Sequence, residues 1–397
     1  MTKDFFDTIV VGGGPAGATA AHELARKGRA VLLVDREGRT KPCGGAIPPR
    51  AVRDFDIPPH MLTARIAAAR MVSPSNKTVD MEITGTGYVG MVDRDVFDPW
   101  LRQRAAEAGA TRIAGTFTGA TQNADGTVTV QIREKDDGKA VREYKARTLI
   151  GADGANSPVR RAVFGANVKP PFVFAYHEIV RSPDTANDNF NPTRCDVIYK
   201  GEISPDFYGW IFPHGPATSI GCGSAIKGYD LRAATRRLRE QAGLADCETL
   251  REEGAPLPLK PLKRWDNGRN VLLAGDAAGI VAPSSGEGIY YAMLGGQLAA
   301  EAVEQLLVTG EVKALKSARK RFMKDHGRTF FILRVMQTIW YRNDKRREQF
   351  VKMCRDPDVQ RLTWESYLNK KLVKREPMAH LRVFGKDLQQ LFGLSHR

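Results

Sequence analysis

Two short stretches carry residue types and spacings that could do chemistry. The first is Gly12-Gly13-Gly14-Pro15-Ala16-Gly17, a G-x-G-x-x-G match. It follows an apolar run at residues 6–12, opens the Ala- and Leu-patterned stretch PAGATAAHELARKG, and is followed by Asp35 at the end of the strand-like run AVLLVD. That is the context of a dinucleotide fold. Gly12 allows the tight turn, Gly14 lets the backbone approach a pyrophosphate, and Gly17 permits close helix–strand packing. Ala16 lies in the first turn of the helix, whose N-terminus offers partial positive charge to phosphate. Asp35 can accept hydrogen bonds from ribose hydroxyls. The second stretch is TKPCGGAIPPR, Thr40–Arg50, where one thiol, Cys43, sits between glycines and prolines that rule out helix and regular strand. A thiol there could give a proton. With an ordinary pKa of about 8.5 it is a weak acid, so it cannot carry a demanding protonation alone. The plain alternative is a small buried apolar residue.

Other chemistries find no support. The five cysteines are scattered without a CxxC pair, which speaks against a disulfide framework or a zinc site, so no metal is expected. No G-x-S-x-G, Walker or HExxH motif occurs. His177 and His214 lack neighbours at metal or triad spacing and read as structural. A second glycine match, Gly85-Thr86-Gly87-Tyr88-Val89-Gly90, lies between two strand-like pieces with no helix after it, and reads as a hairpin turn. In YGWIFP, Tyr208, Trp210 and Phe212 alternate along a strand and so share one face. That face could be ordinary sheet core or the wall of an apolar pocket.

The elements that must position these residues are legible in outline. Gly28 stops the first helix. Residues 112–153 read as strands turning at NADG and KDDG and returning to TLIGADG. Residues 172–225 are strand-rich. NVLLAGDAAG is an apolar strand entering a loop, and GEGIYYAMLGGQLAAEAVEQLLV is a long helix with small residues on one side. From 311 onward the pattern is helical. The chain starts straight into a strand, without the apolar core of a signal peptide or an Arg/Ser-rich transit segment, and no run approaches the length of a spanning helix. A cytoplasmic location is the expectation.

Charge is unevenly spread. The chain holds 60 Lys+Arg against 45 Asp+Glu, and residues 311–397 alone hold 22 against 9. A basic tail with an apolar centre, RKRFMKDHGRTFFILRVMQTIWYRNDKRR, suits an anionic surface. It predicts peripheral contact through 311–397 with an anionic membrane. A solvated helical surface is the alternative. Nucleic acid is not expected, because no recognition module accompanies the charge.

Two further motifs, GADGANSPVR with Asp153 and AGDAAGIVAPSSGEGI with Asp276, complete a set. With the first glycine motif they resemble the flavoprotein class of the hydroxybenzoate-hydroxylase fold. The resemblance implies FAD. It places Asp276 on the ribityl chain, the helix start after Gly286, at Gly288 and Ile289, toward the flavin pyrimidine edge, and Arg94 against FAD. Within that class KPCGGAIP, FDIP and YGWIFP resemble the geranylgeranyl reductase family, closest to those of chlorophyll and bacteriochlorophyll biosynthesis, over nearly the whole chain. This adds Lys41, Gly44, Gly45 and Asp153 to the expected cofactor-binding set. It makes Cys43 the candidate catalytic residue and Tyr208, Trp210 and Phe212 the substrate wall.

The implied architecture is α/β: a Rossmann-like FAD-binding domain (1–50, 91–171 and 263–310), an antiparallel-sheet substrate domain (51–90 and 172–262) and a basic helical C-terminal region (311–397). The implied reaction saturates three of the four double bonds of a geranylgeranyl chain, on pigment or diphosphate, with NADPH as co-substrate. Pigment-biosynthesis enzymes are implied partners. Another flavoenzyme of this fold (monooxygenase, halogenase or carotenoid cyclase) and a non-catalytic FAD-binding subunit remain the alternatives.

Overall fold

The computed structural model describes residues 5–36, 38, 40–83, 85, 87–135, 140–186 and 189–370. Expectations for Thr86, for Asp136–Gly138 of the KDDG turn and for 371–397 of the tail lie outside them. The chain divides into two units. The first comprises 1–41, 94–172 and 256–330; the second comprises 42–93, 173–255 and 331–397.

The first unit is built on a parallel sheet. Strand β1 (Phe5–Val11) pairs in parallel with β2 (Val31–Asp35) on one side and with the end of the strand Val141–Gly151 on the other. Thr111–Gln122 continues the sheet beyond β2, and Val271–Leu273 continues it at the far edge. The buried run IVV of β1 and the fully covered VLL at 271–273 are what a parallel strand with both faces covered requires. The two long strands outrun the parallel core. There they pair antiparallel with Val128–Glu134, the meander expected from the NADG turn. Helix α1 (Pro15–Ala25) lies against the helix Ile289–Thr309, and both use small residues where they meet. Trp265, Tyr291, Phe322 and Phe330 close the core at the other end with edge-to-face and tilted rings.

The second unit carries a seven-stranded sheet. Its strands run, in spatial order, Thr249–Pro258, Phe172–Arg181, Ala217–Ser224, Gly209–Pro213, Arg194–Ile198, Ala68–Val72 and Thr78–Glu82. The pairing of Arg194–Ile198 with Ala68–Val72 is parallel, so the sheet is mixed rather than purely antiparallel. A small sheet of Ala46–Ile47, Val89–Met91 and Ala64–Ile66 stands beside it. This corrects the hairpin reading of Gly85–Gly90. The strand before that segment belongs to the large sheet and the strand after it to the small one. Val89–Met91 is buried throughout and uses both of its edges in the small sheet, so it does not pair back on Thr78–Glu82.

The C-terminal helices Asp344–Met353 and Pro357–Asn369 pack on this second unit. Tyr199, Tyr208, Tyr341 and Phe350 form one aromatic cluster, and Trp364 and Tyr367 cover the core of the small sheet. The long helix Lys316–Trp340 belongs to both units, which divide at Phe330. Among the described residues no helix is long and apolar enough to cross a membrane.

Candidate flavin site and the cysteine loop

The expected site residues divide between the two units. Gly12, Gly14, Ala16, Gly17, Asp35, Lys41, Arg94, Asp153, Asp276, Gly286, Gly288 and Ile289 belong to the first; Cys43, Gly44, Gly45, Tyr208, Trp210 and Phe212 belong to the second.

In the first unit the glycine turn joins β1 to α1. A Cβ on Gly17 would lie 1.8 Å from the Gly12 carbonyl oxygen, so the helix can sit this close to the turn only with glycine there. Gly14 is different. A Cβ there would have as nearest neighbours only Arg94 Nη2 at 3.8 Å and Asp98 Oδ2 at 3.9 Å. Its backbone is therefore uncrowded, at the N-terminus of α1 and beside the Arg94–Asp98 pair, and a helix N-terminus suits a phosphate. Arg94 is itself buried and held by a two-pronged pair with Asp98, at 2.7 Å for both contacts. Asp98 is a partner that the motif-based reading of Arg94 did not name. Its spacing, four residues on in the same helix, was the available signal.

Asp35 Oδ2 accepts the Gly13 backbone N–H at 2.6 Å, and Oδ1 lies 3.5 Å from Arg102. A small cavity lined by Leu33, Asp35, Arg102, Arg112, Ile113 and Ala114 opens beside it. The buried Asp276 is ion-paired with Lys41, an arrangement that joins two of the expected residues. Gly288 caps the helix Ile289–Thr309, and Glu287 turns back to accept the Tyr290 N–H at 2.9 Å. Asp153 serves the loop rather than presenting a free carboxylate. It accepts from Ser157 Oγ and, at 2.9 Å, from Val159 N at the start of the helix Pro158–Phe164. Burial pushes its carboxyl above the ordinary carboxylate range, against those hydrogen bonds. Uncrowded backbone at Gly14, the carboxylate of Asp35 at the end of β2 and the buried Asp276–Lys41 pair supply the kinds of group that the phosphates, ribose and polyol arm of a dinucleotide need.

In the second unit the Cys-Gly-Gly loop is packed on the strand Gly209–Pro213. A Cβ on Gly44 would meet the Phe212 ring at 3.1 Å. Gly45 has φ +69°, and a Cβ there would lie 2.3 Å from His214 Cε1. Its N–H donates to Cys43 Sγ at 3.4 Å, which orients the thiol. Tyr208, Trp210 and Phe212 follow one another on one face, with ring centroids 6.1 and 6.3 Å apart. Burial raises the Tyr208 hydroxyl far above its ordinary value. Trp210 Nε1 donates to Ser219 Oγ at 3.0 Å; Ser219 also contacts His177 Nδ1 at 2.8 Å, and His177 Nε2 lies 3.2 Å from Glu253. His177 and His214 are thus both partnered, His214 by Asp93 and by Gly44. Those partners are remote in sequence, so no local spacing revealed them.

The first unit's glycine turn between β1 and α1, with Asp35 at the end of β2, is the arrangement of a dinucleotide-binding domain. Residues 6–169 match the FAD binding domain family. Geranylgeranyl diphosphate reductase from Rhodobacter capsulatus is 54% identical over 98% of both chains. The chloroplastic geranylgeranyl diphosphate reductase of Oryza sativa subsp. japonica is 37% identical, covering 94% of this chain and 83% of that one. The chain belongs to the geranylgeranyl reductase family. Its fold is also that of a geranylgeranyl bacteriochlorophyll reductase-like protein from Thermoplasma acidophilum, with a TM-score of 0.81 at 21% identity over 96% of this chain and 99% of that one.

Proposed function

We propose that this chain is an FAD-dependent reductase that saturates three of the four double bonds of a geranylgeranyl chain, giving phytyl, on the diphosphate or on a (bacterio)chlorophyll. NADPH is the electron source in this reading. The observation that carries it is the packing of the Cys-Gly-Gly loop on the aromatic strand within one unit, in a chain whose relatives along nearly its whole length are named for that activity.

When bound, FAD supplies the hydride that an isolated alkene accepts poorly. The residues of this chain do the rest. The Gly14 backbone and the N-terminus of α1 bind the pyrophosphate, Asp35 the ribose, and Asp276 with Lys41 the ribityl chain. Arg94, held in place by Asp98, would offer guanidinium N–H donors to the cofactor. Asp153 holds the loop that precedes the helix Pro158–Phe164. The N-terminus at Gly288–Ile289 favours negative charge beside it. Tyr208, Trp210 and Phe212 line the path of the isoprenoid and keep water away. Cys43 gives a proton to the alkene carbon that does not receive hydride, and the Gly45 N–H holds its sulfur in place.

Anaerobic turnover of geranylgeranyl diphosphate or geranylgeranyl-pigment with NADPH tests the reading. Chromatography of the released alcohols should show stepwise saturation; a product formed only with oxygen would favour a monooxygenase or halogenase instead. Cys43→Ser should lose most turnover with unchanged flavin content, and full turnover with the same product pattern would remove the thiol from the mechanism.

The same reading includes peripheral attachment to an anionic membrane. Lys316, Lys320, Lys324 and Arg328 are exposed at four-residue spacing on one helix, followed by the exposed Phe331 and Val335. Near an anionic surface each cation contributes about 1 kcal/mol. Flotation with vesicles containing anionic lipid should carry the protein at low salt, and substituting the four cations with Glu should leave it behind. No flotation of the unaltered protein would sink the attachment.

A further inference from the structure

His214 sits at the end of the YGWIFP strand, and its buried ring lies directly under the Cys43–Gly45 loop. Its backbone is fixed by the tight turn after that strand, where His214 N–H donates to the Ala217 carbonyl at 2.7 Å. Nδ1 lies 2.8 Å from the Asp93 carboxylate, and Nε2 lies 3.2 Å from the Gly44 carbonyl oxygen. Both partners are acceptors. Each ring nitrogen thus faces an acceptor, and the ring bridges the Asp93 carboxylate and the Gly44 carbonyl. The third contact is steric: Gly45 passes so close to Cε1 that no side chain fits between them, and its positive φ turns the chain back over the ring.

We propose that His214 is a positioning residue for alkene reduction, which holds the Cys43 loop by the Gly44 carbonyl while Asp93 orients the ring. The assignment rests on the reading above that Cys43 takes part in the reaction. It goes beyond that reading by naming what fixes the thiol. Cys43 is held on one side by the Gly45 N–H, and that N–H belongs to the peptide unit whose carbonyl His214 grips. Releasing the carbonyl lets the whole peptide rotate and takes the donor away from the sulfur.

The test uses the FAD-loaded full chain carrying His214→Asn or Asp93→Asn. Two quantities are read: the rate of Cys43 alkylation by iodoacetamide, followed by mass spectrometry of its peptide, and kcat and KM for the prenyl substrate. Cys222 is the internal reference, because burial pushes its thiol up to about 11 and leaves it inert while the fold is intact. The proposal predicts that Cys43 alkylates several-fold faster in both variants. It also predicts that kcat falls on the order of 10- to 100-fold with KM little changed, as expected when a reacting group is misplaced without loss of binding. Wild-type alkylation of Cys43 in a folded variant overturns the clamp, whatever kcat does. Altered alkylation with wild-type kcat overturns the positioning role. If His214→Asn exposes Cys222, the Asp93→Asn variant, which keeps the ring and its packing, carries the same two outcomes. Failure of the underlying reading is separable, because full turnover by Cys43→Ser leaves the alkylation result on the loop unaffected.

Discussion

Gly14→Ala separates the cost of folding from the cost of binding. At Gly14 the backbone has φ −76° and ψ −174°, values that alanine adopts without strain. The added methyl would find its nearest neighbours at 3.8 and 3.9 Å, ordinary contact distances. The apo protein should therefore keep its stability within about 0.5 kcal/mol. In the proposed binding mode the methyl instead occupies the space through which the pyrophosphate approaches. Inserting a methyl where a tightly held ligand already fills the room costs about 1–3 kcal/mol by analogy with overpacked cores, or about 5- to 150-fold in FAD affinity. Gly17→Ala makes the contrast. Its methyl would fall 1.8 Å from the Gly12 carbonyl, far inside any real contact, so α1 must move off the turn and the apo protein itself loses stability. The assay pairs chemical denaturation of the flavin-free proteins with titration of FAD. If Gly14→Ala binds FAD like the unaltered protein, the pyrophosphate does not pass there. If it lowers apo stability as much as Gly17→Ala does, the open space is not open.

Three further outcomes follow from other parts of the structure. Arg29 and Glu304 form a two-pronged pair at 2.8 and 2.7 Å between the loop after α1 and the helix Ile289–Thr309, and hydrogen bonding to Arg29 lowers the Glu304 carboxyl. A lowered folded-state pKa means stability present above the unfolded value of about 4.3 and lost as pH falls through the folded one. Glu304→Gln should cost about 1 kcal/mol near neutral pH, and that deficit should shrink as pH falls below the unfolded value of about 4.3; a pH-independent deficit in denaturant unfolding would contradict the linkage. Trp210→Phe removes the N–H that Ser219 accepts and disturbs the chain of contacts through His177 to Glu253; it should cost about 1 kcal/mol and leave more partly saturated product, and an unchanged product pattern would make Trp210 plain sheet core. Gly45→Ala combines positive φ with overlap against His214 Cε1 and the Val92 carbonyl at 2.3 and 2.5 Å. It should destabilise the chain by about 2–5 kcal/mol, and calorimetry that finds no loss would remove the close approach from the argument.

Local motifs were legible because their signal is local. The glycine turn, α1 and Asp35 lie within one strand–helix–strand unit, and the structure keeps them together. The alternation of Tyr208, Trp210 and Phe212 is likewise a property of one strand. What stayed hidden depends on pairings made elsewhere in the chain. The pieces flanking Gly85–Gly90 have the alternation of a hairpin, but each finds its partner in a different sheet. His214 looked unpartnered because Asp93 and Gly44 lie 121 and 170 positions away. Asp153 occupies a motif position, yet its carboxylate is taken up by Ser157 and Val159, which only the turn into the next helix reveals.

The central claim is that electrons pass from reduced flavin to isolated double bonds of a geranylgeranyl chain. It is tested most directly without any nicotinamide donor. The FAD-loaded protein is photoreduced under strict anaerobiosis, geranylgeranyl diphosphate is added, and the flavin spectrum is followed while the product mass is measured. The account predicts that the oxidised flavin spectrum returns on addition of the prenyl substrate and that each flavin equivalent reoxidised adds two hydrogens to the chain. Flavin that stays reduced with the prenyl substrate and reoxidises only when oxygen is admitted would contradict it.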